Sequence, residues 1–250
     1  MSSASRRGRF LWLLLPVLAM ALATWACGST PIVTHQPATQ LRLGVTIYAQ
    51  YTGNTNVVLF QATIFDANRP VLPPDDAHLT CEGADVTPDY QAVIRECPRQ
   101  PAGGAYRFVY TDEHGVATSA VIAIPTGTVA LLAPRVGDHV AIPANNKLAI
   151  RYRVPTPPPN GSVTIDEMRA ICGQIHSPPC GDVLFAPHTA EVVSGGDGVF
   201  MLTGDFSSFQ PGDGMVDMTV GTHIQADQSG FAAVDVTFTD SVAAPITWTR

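Results

Sequence analysis

The sequence predicts an all-β protein of two tandem domains, and three observations carry that expectation. Apolar residues recur at every second position in run after run. Clusters of Gly, Pro, Asn and Asp separate the runs, in keeping with 21 glycines and 21 prolines in 250 residues. A single stretch carries a helix signal, so one short helix is expected, in the second domain.

In the first predicted domain, residues 40–126, the odd positions of Leu41-Arg42-Leu43-Gly44-Val45-Thr46-Ile47 are aliphatic and the even ones polar or small. A strand places alternate side chains on opposite faces, so this run buries one face and shows the other. Val58, Phe60, Ala62 and Ile64 form the next face, closed by Asp66-Ala67-Asn68-Arg69-Pro70. Tyr106, Phe108 and Tyr110 follow, then a turn at Asp112-Glu113-His114-Gly115, then Ala120, Ile122 and Ile124. Each run has the length of an ordinary strand.

In the second, residues 127–250, Leu148, Ile150, Tyr152 and Val154 point one way and Arg151 and Arg153 the other. Phe200 and Leu202, then Val216, Met218 and Val220, then Val234, Val236 and Phe238 repeat the rhythm. Gly195-Gly196-Asp197-Gly198, Pro211-Gly212-Asp213-Gly214 and Asp227-Gln228-Ser229-Gly230 are the turns between them. Thr164-Ile165-Asp166-Glu167 reads as a capping box before Met168, Ile171 and Ile175, which predicts the helix. Pro155 to Gly161 reads as a loop inside this domain. A strand at 147–154 without later partners would leave its ladder groups unpaired. Pro155 to His188 as a whole reads as a long irregular projection, suited to recognition or to covering a sheet edge.

Gly104-Ala105-Tyr106-Arg107-Phe108-Val109-Tyr110, its tight turn and the strand Thr118 to Pro125 resemble the last two strands of bacterial immunoglobulin-like domains. Phe60 to Asp66, leading to Pro70-Val71, is similar to the second strand of such a domain, and Pro134-Arg135-Val136-Gly137-Asp138 to Ile142 resembles an opening strand pair. The resemblance implies two Ig-like β-sandwiches. Antibody-type domains join their two sheets by a disulfide behind the tyrosine; Phe108 stands at that cysteine position here, so packing must replace the bridge.

Ahead of the first domain stand Arg6, Arg7 and Arg9, an apolar run from Phe10 to Ala23, and Thr24-Trp25-Ala26-Cys27-Gly28-Ser29. This order resembles a bacterial lipoprotein signal peptide over residues 1–26, which implies cleavage before Cys27, lipidation of Cys27 and a tether over 27–39. Thr24 and Trp25 depart from the usual lipobox. Cleavage after Ala23, at Ala21-Leu22-Ala23, would instead release a soluble protein. An uncleaved anchor would need about 20 apolar residues, more than this Pro16-containing run supplies. Cysteine parity favours lipidation. Of five cysteines, removing Cys27 leaves Cys81, Cys97, Cys172 and Cys180, an even set suited to an oxidising compartment. One pair falls in each predicted domain, so Cys81–Cys97 and Cys172–Cys180 are the expected bridges.

From Cys27 onward the chain keeps 11 basic and 21 acidic residues, a net charge of −10, with Lys147 the only lysine. Such a surface cannot displace counterions from a polyphosphate, which excludes nucleic acid as a partner, and it disfavours charge-driven binding to an anionic membrane.

Several groups have the right chemistry for a site. Cys172, His176, Cys180 and His188 are metal-ligand types, competing with the disulfide reading. Met201, Met215, Met218 and His223 suggest copper, although Met215 and Met218 fall on opposite strand faces. Asp197, Asp205, Asp213 and Asp217 would suit calcium, yet Gly-Asp-Gly is also ordinary turn chemistry. G-x-S-x-G, S-x-x-K and H-E-x-x-H are absent from the sequence. His35, His78, His114 and His139 sit among turn residues. The resulting expectation is a non-catalytic surface lipoprotein without cofactor or metal. It would be membrane-anchored through lipid on the extracytoplasmic side and act on an envelope or extracellular protein or glycan. A metal- or solute-binding lipoprotein using Cys172 to His188, or a surface hydrolase, are the alternatives.

Overall fold

The computed structural model describes residues 32–48, 56–89, 94–173, 180–185, 191–226 and 230–250. Residues 1–31, which hold the expected signal segment, Cys27 and the start of the expected tether, lie outside the described residues. The first half supplies β1 (Ile32–Val33), β2 (Leu41–Tyr48), β3 (Val57–Asp66), β4 (Arg69–Leu72), β5 (His78–Cys81), β6 (Ala84–Asp85), β7 (Arg95–Pro98), β8 (Ala105–Thr111) and β9 (Ala117–Ala123). The second supplies β10 (Ala130–Ala133), β11 (His139–Ala141), β12 (Lys147–Val154), β13 (Gly161–Cys172), β14 (Gly181–Phe185), β15 (Glu191–Val193), β16 (Gly196–Thr203), β17 (Gly212–Gln225) and β18 (Ala233–Thr249). The protein is all-β and its sheets pack as sandwiches. Among the described residues no helix is long and apolar enough to cross a membrane.

The expected helix is a strand as far as Cys172; Ile175 lies outside the described residues. Thr164 to Glu167 lies inside β13, which pairs antiparallel with β17 along its whole length. The register slips between Ile165 and Glu167, so Asp166 is the extra residue of a β-bulge. Val163 and Ile165 face the core before the bulge, and Met168, Ala170 and Cys172 face it afterwards. The slip turns a spacing of two into a spacing of three at Ile165–Met168, which mimics a helical face. The irregular projection is corrected on the same ground: within Pro155 to His188, β13 and β14 pair with each other in the large sheet, with β14 at its edge. Residues 174–179 and 186–188 lie outside the described residues.

One large sheet runs β1-β4-β3-β2-β18-β17-β13-β14, with β7 on β3, β11 on β18 and β15 on β13. Two smaller sheets, β6-β5-β8-β9 and β10-β12-β16, pack against it. On β17 and β18 the even positions all turn inward. Ile224, Val234, Val236 and Phe238 join the first core; Val216, Met218, Val220, Ala244, Ile246 and Trp248 join the second. Because the parity is shared, both small sheets cover the same face of the large one. The packing therefore crosses the 126/127 boundary: the final two strands serve both sandwiches. Among the described residues no sheet covers the opposite face.

The first core holds the sheets together without a bridge at Phe108, whose ring stacks on Phe60 of the facing sheet at 5.0 Å between centroids. A disulfide lies elsewhere in the same interface. Cys81 of β5 and Cys97 of β7, both fully buried, join the small sheet to the large one with Cα atoms 5.8 Å apart. In the second core Trp248 Nε1 donates to the Ile171 carbonyl at 2.8 Å. A Cβ on Gly214 would fall inside that indole, so the packing requires glycine there. Cys172–Cys180 closes the β13–β14 turn. The segment expected to end the tether is paired: β1 lies parallel beside β4, and Thr34 N donates to the Leu72 carbonyl at 2.9 Å.

Candidate functional site

The uncovered face of the large sheet is built from the polar halves of its alternating strands. On β2 these are Arg42, Gly44, Thr46 and Tyr48; on β3, Gln61, Thr63 and Phe65; on β18, Asp235, Thr237 and Thr239. Threonine and aromatic residues suit a strand while keeping this face polar. Gly44 leaves a floor over which Phe65 lies, since a Cβ there would stand 2.9 Å from the Phe65 ring. Arg42 places its guanidinium 4.5 Å from the centre of that ring. The outcome is a groove of about 570 Å³ over Gly44, walled by Arg42, Gln61, Thr63, Phe65 and Asp235. A neighbouring groove of about 470 Å³ shares Asp235 and Thr237 and continues to His223 and Ser162.

Arg42 and Asp235 face each other with Nε 3.6 Å from Oδ2, beyond hydrogen-bonding distance. Arg42 Nε is buried without a hydrogen-bond partner. A chain of side-chain hydrogen bonds borders the groove. His223 Nδ1 lies 3.1 Å from Thr237 Oγ1, and His223 Nε2 lies 3.1 Å from Thr164 Oγ1. Thr164 Oγ1 donates to Asp166 Oδ1 at 2.7 Å. The bulge turns Asp166 toward Thr164, and Gly221 makes room for the cluster: a Cβ there would meet Asp166 Oδ2 at 2.6 Å. These residue types invite comparison with a hydrolytic triad, but the connectivity is wrong. The carboxylate holds the threonine rather than the histidine, and Thr164 is buried beneath both. The cluster fixes the junction of β13, β17 and β18.

A second concavity, of about 240 Å³, lies where the two cores meet, lined by Arg99, Gln100, Tyr106, Thr222, Phe238 and Asp240 among others. Asp240 is the one charged residue among the inward-turning positions of β18. It accepts from Ser241 N at 3.0 Å and from the backbone N–H of Val129, in the segment that crosses between the sandwiches. Burial pushes its pKa up to about 6, opposed by those hydrogen bonds and by the Arg99 charge. Asp217, on the uncovered face, is likewise pushed up to about 6, by burial and by the Glu167 charge, with Arg169 opposing.

The candidates from the sequence disperse. Cys172 and Cys180 are bonded to each other, while His176 and His188 lie outside the described residues. Met218 is buried in the second core, Met201 is half exposed on β16, and His223 is engaged by two threonines. Asp197 pairs with Arg153, its Oδ1 2.6 Å from Nε, which holds its carboxyl below the usual range. Asp205 accepts from Ser207 N at 2.8 Å and is lowered by that bond. Asp213 and Asp217 lie along β17. No group of three His, Cys, Asp or Glu side chains converges as a metal site among the described residues. His35 and His114 flank Glu113, with His35 Nδ1 3.0 Å from Oε2 and His114 Nε2 3.7 Å from Oε1, which ties the segment between β1 and β2 to the β8–β9 turn. The groove residues escaped the sequence reading, which took the even positions of 41–47 only as a solvated face. The signal lay in their partner: Asp235, Thr237 and Thr239 form a second polar face of the same period.

No protein-family model matches the chain, and no curated protein matches it. Among solved structures it is similar to the fibronectin(III)-like modules of Clostridium thermocellum CbhA, at 13% identity over 82% of this chain and 90% of that one, with a TM-score of 0.20.

Proposed function

We propose that the chain is a non-catalytic binding module, exported, anchored by lipid on Cys27 and presented on the outer side of a membrane. The observation that carries the binding role is the uncovered groove on the large sheet, where Arg42 and Asp235 face each other without a hydrogen bond. Rigid strands hold the groove's side chains, so little order remains to be gained on binding. The signal-like segment and the even cysteine set that remains without Cys27 support the anchored, exported reading. The Cys172–Cys180 bridge removes two ligands from the metal-binding alternative. The test is retention of native envelope material on the immobilised protein, compared with Asp235→Ala. Material held by the first and released by the second supports the module; equal retention on both refutes it.

A further inference from the structure

We infer that the groove over Gly44 takes a neutral polyhydroxylated ligand, a short glycan chain, with Arg42 and Asp235 holding its hydroxyl groups. The inference rests on the binding-module reading and gives it a ligand class.

The charges of the site decide the class. A bare anion in the groove meets Asp235, on a chain whose net charge from Cys27 onward is −10. A bare cation meets Arg42. A hydroxyl group satisfies both, because it accepts from a guanidinium N–H while donating to a carboxylate. The pair is open to such a bridge. Its closest approach, Nε to Oδ2, is 3.6 Å, and Nε is buried without a hydrogen-bond partner, so a ligand hydroxyl meets the guanidinium at its terminal nitrogens. Both side chains are part-exposed, at 37% and 43%. The remaining polar wall consists of hydroxyl and amide groups, Thr46, Gln61, Thr63 and Thr237, which match further hydroxyls without adding charge. Pro70 and the edge of Phe65, whose ring lies between Gly44 and the Arg42 guanidinium, supply an apolar border for the C–H groups of a sugar ring.

Size points the same way. The groove runs from β3 across β2 to β18, and its continuation crosses β17 to β13. Four strand spacings make roughly 19 Å, the length of an oligomer rather than of one ring. A protein strand would need a free sheet edge to pair with, and this site is a sheet face whose strands are all paired on both sides.

The experiment is titration calorimetry of the purified protein with neutral tetrasaccharides of glucose, mannose and galactose, and with a galacturonate tetrasaccharide. At least one neutral probe is expected to bind, and the uronate is expected to bind more weakly. Arg42→Lys keeps the charge but loses the planar donor fork. It and Asp235→Ala should each weaken binding about tenfold or more, with unfolding temperatures confirming that both variants are folded. Failure of every neutral probe overturns the inference, as does a preference for the uronate or binding unaffected by both substitutions. A dimer that Arg42→Lys abolishes would also overturn it, in favour of a second copy as the occupant. Periodate cleaves vicinal diols. If envelope material is retained in an Asp235-dependent way but survives periodate, the glycan assignment falls while the binding module stands; if nothing is retained, both fall.

Discussion

Replacing Asp240 by asparagine should stabilise the protein near neutral pH and remove part of its pH dependence. Asp240 faces inward at the waist between the cores, with Arg99 as the charge acting on it and the N–H groups of Ser241 and Val129 as its donors. Its pKa lies near 6 in the folded protein against an ordinary 3.8. The folded state therefore holds the proton more tightly than the unfolded chain does. Below about pH 3 both states are protonated and the carboxyl imposes no penalty. Between pH 4 and 6 the unfolded chain loses its proton first, and stability falls as pH rises. Above pH 6 the penalty is complete. Two units at about 1.4 kcal/mol each give about 3 kcal/mol, or roughly 2 after allowing for the solvent that reaches this half-buried group. The amide that replaces the carboxyl would keep an acceptor oxygen for the two N–H groups and carry no charge. The assay is urea unfolding at pH 4.5 and 7.5, followed by Trp248 fluorescence on protein beginning at Cys27, in which Trp248 is the single tryptophan. The variant should gain about 2 kcal/mol at pH 7.5 and about a third of that at pH 4.5. Equal stability of variant and parent at pH 7.5, or an unchanged pH slope, refutes the reasoning. Asp217 contributes a slope of the same sign.

Cys27→Ser should send the protein into the medium or leave it as precursor; unchanged size and detergent partitioning would refute lipidation. Replacing Cys81 and Cys97 together by alanine should destabilise the first sandwich by about 3 kcal/mol in the chain-entropy model, read from urea midpoints. Gly214→Ala forces a Cβ into the Trp248 indole and breaks its bond to Ile171. The expected loss is about 2–4 kcal/mol, and a red-shifted Trp248 emission reports it.

Period-two alternation was enough to recognise eight of the nine strands of seven residues or more, because half-buried strands write their burial directly into the order of residues. The short strands hold too few residues to show a period. The bulge at Asp166 was not legible. One added residue changes the phase of the pattern, and a phase change inside one strand looks like a change of structure. The sharing of β18 was hidden for another reason. Its apolar face shows that Val234, Val236 and Phe238 are buried, but not that they are buried with Leu43, about 190 residues away. The groove is a product of that long-range pairing. Arg42 and Asp235 become neighbours only when β2 meets β18, and each alone is an ordinary solvated residue. The Phe60–Phe108 stack was within reach, since the absence of a cysteine at Phe108 already required packing there.

The parallel pairing of β18 with β2 also sets an order of events in time. A ribosome delivers a chain from its N-terminal end, so β2 emerges early and waits for a neighbour encoded about 190 residues later. Until Ala233 to Thr239 arrive, β2 has an open edge and the first sandwich lacks Val234, Val236 and Phe238 from its interior. The amino-terminal half cannot finish folding on its own, and its late closure across a long loop is the slow kind. A chain built this way stays a thread while it is being passed along. It becomes a body when β18 is released, and at that moment both sandwiches and the groove between β2 and β18 gain the strand they share.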